Sequence, residues 1–132
     1  VSGDGPTVVA VHTVAPRQDE MDGWSQDLRW VADQCPAGKN VILAGDFNAT
    51  LDHMAGLGTA GGDLGACRDA ASRTGSGAVG TWPTSVPALV GAPIDHVMAT
   101  EQWRPSGSAV LPAGAGGSDH RALIVQLEPA KS

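Results

Sequence analysis

The chain has 132 residues, a formal net charge of −6 and only eight Lys plus Arg, none of them clustered. That length suits one small domain with a core of its own. The charge balance argues against a non-specific nucleic-acid binder, which takes most of its affinity from phosphate neutralisation, and four Trp with one Phe form no stacking platform.

Thr7 to Val14 is a β-branched run and reads as the first strand. Pro16 marks a boundary, and Asp19 or Asp22 can cap the helix after it. Trp24, Leu28, Val31 and Cys35 then make one apolar stripe on that helix, and Pro36-Ala37-Gly38 stops it. Asn40 to Ala44 is the next strand. Leu51 to Leu57 reads as a short helix capped by Thr50, and Leu64 to Ser72 as another. Gly clusters at 56–65, 75–80 and 114–117 read as loops. Beyond them come a strand from Pro93 to Ala99, a short edge strand from Ser108 to Leu111, and a central strand from Arg121 to Leu127 rich in Leu, Ile and Val. This order predicts an α/β layer, one mixed or mostly antiparallel sheet with helices on one face.

Three short strings carry the chemistry. Gly45-Asp46-Phe47-Asn48-Ala49-Thr50 ends an apolar strand in a tight turn, with a carboxylate and a carboxamide two residues apart on one side. Asp can serve a metal or a water, and the neutral Asn amide can hold an oxyanion. The duller alternative is a turn that merely caps its own backbone. Gly117-Ser118-Asp119-His120-Arg121-Ala122 sets a carboxylate beside an imidazole, whose unperturbed pKa suits proton transfer near neutral pH. In an extended segment these two would point opposite ways, Asp119 toward a cation and His120 toward a substrate. Ala92-Pro93-Ile94-Asp95-His96-Val97-Met98 supplies Asp95, the candidate orienter of His120. His96 has the opposite parity and should pack away from the site. His12 lies in the first strand, where a lone His is commonly structural. His53 reads as helix surface, Trp82 as either cleft lining or hydrophobic plug, and Arg121 as a solvated strand start.

In that order the three strings resemble the second half of the endonuclease/exonuclease/phosphatase superfamily, which includes deoxyribonuclease I. The resemblance spans Val8 to Leu127. It implies that residues 1–132 are the C-terminal part of a four-layer α/β/β/α sandwich, since the family's early Asn and metal-binding Glu have no counterpart here. It also implies roles: Asp46 orients or deprotonates the attacking water, Asn48 steadies a phosphate oxygen, His120 is the general base or phosphate-polarising group with Asp95 as partner, and His12 donates a proton to the leaving oxygen. Asp119 and Asp46 would face magnesium, with manganese as a stand-in.

The expected function is thus metal-dependent phosphoester hydrolysis when joined to an N-terminal half, with the isolated chain inactive. A nuclease, or a non-catalytic module lacking the metal-binding Glu, are the alternatives. Expected partners are a phosphate-ester substrate and either the N-terminal half or a second copy covering the open sheet face. Nucleic acid is disfavoured by charge, and a membrane could be reached only through an upstream segment. Cys35 and Cys67 are either two buried thiols or one disulfide; a disulfide would imply an extracytoplasmic or membrane-tethered setting, and free thiols a cytoplasmic one.

Overall fold

A computed structural model describes residues 5–17, 19–113 and 117–130. Positions 114–116 of the last Gly-rich loop lie outside them. Its elements are β1 (Thr7–His12), α1 (Met21–Asp33), β2 (Val41–Asp46), α2 (Leu51–Met54), β3 (Arg68–Asp69), α3 (Ala70–Arg73), β4 (Asp95–Ala99), β5 (Trp103–Val110) and β6 (Leu123–Pro129).

Four strands form a mixed sheet in the order β1-β2-β4-β3, with β1 parallel to β2 and the other pairs antiparallel. The α1 stripe of Trp24, Leu28 and Val31 is buried, as the spacing predicts, with Cys35 just past the helix end, against Val11, Val41, Leu43 and Met98 on one sheet face. Residues of opposite parity occupy the other face, where Val8 is 64% exposed. That alternation is the two-residue period of a strand. Among the described helices none is long and apolar enough to cross a bilayer.

Several sequence expectations need correction. β6 is not a central strand: it pairs with β5 alone in a separate two-stranded sheet, and Ile124 in it is 53% exposed. Its Leu, Ile and Val content reports β propensity rather than burial on two faces. β5 is correspondingly longer than the short edge strand expected. No helix spans Leu64 to Ser72, because Gly65 adopts φ +54 with its Cα against the end of α1, where a Cβ would lie 2.3 Å from the Ala32 carbonyl oxygen. The chain turns there, forms β3, and starts α3 at an Asp69 cap whose Oδ2 accepts the Ser72 amide. The helix after Thr50 stops at Met54, since Ala55 leaves the helical region and Gly56 has φ +92. Neither Asp19 nor Asp22 caps α1; its N-cap residue is Glu20, with no side-chain cap. Cys35 and Cys67 form a disulfide with Cα atoms 5.6 Å apart, tying the end of α1 to the segment entering β3.

Candidate active site

Sheet register assembles the site. His12 pairs with Asp46 across β1 and β2, and Asp46 pairs with Asp95 across β2 and β4. Residues in register share a face, so three chemistry-bearing side chains from three strands form a row at one end of the sheet, on the face away from α1.

The Asp46 turn is held from several sides. Asp46 Oδ1 accepts the Asn48 amide at 2.8 Å, which lets Asn48 sit at φ +47. The Asn48 Nδ2 donates to the Thr13 carbonyl at 2.9 Å, and its own carbonyl accepts the Trp24 indole at 3.2 Å. Part of the carboxamide therefore does structural work, yet its second N–H remains for a ligand. Asp46 Oδ2 points outward, 3.6 Å from His120 Nε2 and 4.0 Å from His12 Nε2.

His120 is the centre of the arrangement. Its Nδ1 is 2.7 Å from Asp95 Oδ2, so the ring donates there and leaves the Nε2 lone pair directed at the cleft. Burial alone would lower its pKa. The hydrogen bond to Asp95 and the negative charges of Asp95, Asp46 and Asp119 outweigh that, and the pKa is raised above the usual 6.5. Asp119 does not point away from His120, because residues 119 and 120 form a bend rather than a strand. Its Oδ1 lies 3.8 Å from His120 Nε2, and its Oδ2 accepts the Trp82 indole N–H at 3.0 Å.

His12, Asp46, Asn48, Asp119 and His120 line one cleft of about 550 Å³, with Arg17, Glu20 and Trp82. Asp95 lines the adjoining cleft between the sheet and the β5–β6 sheet, and His120 borders both. His96 lies outside the site as its parity predicts: it is buried, with Nδ1 at 2.9 Å from Asp69 Oδ1 and Nε2 at 2.7 Å from the Ala49 carbonyl. His53 is exposed at α2, where its Nδ1 accepts the Thr50 amide.

Sequence reasoning misjudged or missed three residues. Arg121 is not solvated; it is buried, and its guanidinium donates to the carbonyls of Gly80, Pro83 and Val86. Trp82 lines the cleft, one of the two readings its sequence allowed, but the sequence did not show that its indole fixes Asp119. Arg17, a cation at the cleft, stands in a stretch with no motif to mark it.

Asp46, Asp95 and His120 offer ligand atoms all within 4.8 Å of one another, a spacing compatible with a metal ion. Asp95 and His120 are already committed to each other through a 2.7 Å bond. The freer oxygens facing the cleft belong to Asp46 and Asp119, hard donors suited to magnesium although a minority of the roughly six it takes.

Residues 1–120 match the family described as Endonuclease/Exonuclease/phosphatase. Among solved structures, the chain is similar to an endonuclease/exonuclease/phosphatase from Beutenbergia cavernae, with 20% identity and a TM-score of 0.70 over 92% of this chain and 36% of that one. It is similar to a humanized D. rerio TDP2 at 20% identity and TM-score 0.68, over 92% of this chain and 54% of that one. A mannosyl-6-phosphatase from Bacteroides thetaiotaomicron matches at 16% identity and TM-score 0.64, over 92% of this chain and 50% of that one. The chain thus spans about a third to a half of these relatives' lengths, and no curated protein matches it.

Proposed function

Because the chain belongs to the Endonuclease/Exonuclease/phosphatase family, we propose that it supplies the catalytic face of a divalent-metal-dependent phosphoesterase. The observation that carries this reading is the bond from His120 to Asp95, with the opposite ring nitrogen 3.6 Å from Asp46 and open to the cleft.

With Nδ1–H given to Asp95, the Nε2 lone pair of neutral His120 can take a proton from water as it attacks phosphorus. Asp46 Oδ2 accepts the water's other hydrogen and so aims its lone pair. The spare Asn48 N–H steadies a non-bridging phosphate oxygen, Arg17 draws the anion in, and exposed His12 protonates the leaving oxygen. Asp46 and Asp119 would hold magnesium, or manganese in its place, which supplies neutralisation of phosphate charge. Trp82 keeps Asp119 directed for that purpose. The net charge of −6 and the single Arg among the cleft-lining residues favour a small phosphorylated molecule or a lipid head group over DNA.

Hydrolysis of p-nitrophenyl phosphate and bis-p-nitrophenyl phosphate, by the chain alone and joined to an N-terminal half of the family domain, tests this. The expected result is turnover by the joined protein, lost with EDTA and restored by magnesium, and none by the chain alone. Turnover indifferent to EDTA would contradict the metal-dependent reading.

A further inference from the structure

His120 and Asp95 lie on separate segments, and a 2.7 Å bond between them demands that something fix both backbones. Thr81 is in contact with both. It is 1% exposed and every polar atom it has is used. Its carbonyl accepts the Arg121 amide at 2.6 Å, immediately after His120. Its hydroxyl accepts the amides of Ile94 and Asp95, each at 3.2 Å, and donates to the Ala92 carbonyl at 3.4 Å. Its own amide donates to the same Ala92 carbonyl at 3.1 Å. A hydroxyl has one hydrogen and two lone pairs, so this one is saturated.

We propose that Thr81 is the positioning residue of the His120–Asp95 pair: its carbonyl sets the segment carrying His120 and its hydroxyl sets the strand carrying Asp95. Among the described contacts Trp82 also bridges the two segments, through Asp119 and Ala92, whereas Thr81 bonds the Asp95 amide itself and the residue that follows His120. The Arg121 guanidinium reinforces the arrangement from the same side, drawing Gly80, Pro83 and Val86 toward the residue next to His120. As a role for a residue in the proposed phosphoesterase site, the functional half of this inference rests on that reading. The geometric half does not.

The test compares Thr81→Val and Thr81→Ser in the full chain by NMR. Val matches Thr in shape but leaves the Ile94 and Asp95 amides without an acceptor in a buried place; Ser keeps the hydroxyl. The expected result for Thr81→Val is loss of the low-field Nδ1 proton signal that the Asp95 bond gives His120, and hydrogen exchange at the Asp95 amide faster by about tenfold or more. The Trp24 indole signal from the core stays in place, and Thr81→Ser restores both site signals. A His120 signal and Asp95 protection unchanged in Thr81→Val would overturn the proposal. Should Thr81→Val fail to fold, the wild-type protein decides: a slowly exchanging Thr81 hydroxyl proton with a cross-peak to the Asp95 amide supports the proposal, and its absence defeats it. In the joined protein, Thr81→Val should lower kcat with little change in KM. If the NMR signals are lost and kcat is unmoved, the positioning stands and the phosphoesterase reading fails.

Discussion

At the scale of single residues, proton control at His120 governs the proposed chemistry. Asp95→Asn removes one of the charges that raise the His120 pKa and weakens its hydrogen-bond acceptor, leaving only Asp46 and Asp119 to oppose burial, which lowers it. The acid limb of the kcat/KM profile should therefore move to lower pH, while kcat falls on the order of 10²-fold because the ring loses its orienting partner. An acid limb that stays in place would show that His120 is not the titrating base. The same shift has a stability consequence. A folded-state pKa above the unfolded value means that the protonated ring adds stability that is complete below about 6.5 and is lost as pH rises through the folded value. Asp46, Asn48, Asp95, Asp119 and His120 could all be found in the sequence because each stands in a string of punctuating Gly or Pro beside an apolar run. Thr81 could not, and neither could the bonds that Trp82 and Arg121 make, because these depend on partners tens of residues away in the chain.

At the scale of elements, close backbone approach and a buried pair hold the site's foundation. Gly45 has φ +145, and a Cβ there would lie 2.0 Å from the Val11 carbonyl oxygen of the neighbouring strand. Gly45→Ala must push β1 away from β2, separating His12 from Asp46 at a cost of about 1–3 kcal/mol, readable by urea unfolding. His96 spans from β4 to the Asp69 cap of α3 and to the Ala49 carbonyl behind the Asp46 turn. His96→Leu leaves the Asp69 carboxylate buried without its partner and should destabilise the protein by about 3–5 kcal/mol in the same measurement; a loss under about 1 kcal/mol would mark the pair as dispensable. The α1 stripe was legible because helical periodicity leaves a signal in a short window. The separation of β5 and β6 from the main sheet was not, since strand composition is alike in both sheets and pairing partners are set by tertiary contacts.

At the scale of the whole molecule, one sheet face is packed and the other is only partly covered. Val8 and Ala10 on β1 are exposed on the side away from α1, and Ala44 and Val97 border the open cleft of about 610 Å³ beneath the β5–β6 sheet. We propose that an N-terminal half of the family domain covers this surface, as the span of a third to a half of the solved relatives' length suggests. The Cys35–Cys67 disulfide closes the path from α1 to β3, with a sequence separation of 32 residues. Reducing it should cost about 2–5 kcal/mol, and we propose an extracytoplasmic setting on that ground. We propose above all that His120, held by Asp95 at the end of the sheet, drives phosphoester hydrolysis. Turnover of bis-p-nitrophenyl phosphate by the joined protein, with and without His120→Ala, tests it most directly. The substitution is expected to lower kcat by roughly 10²–10⁴-fold with the fold intact by circular dichroism; equal turnover by both proteins would contradict that role for His120.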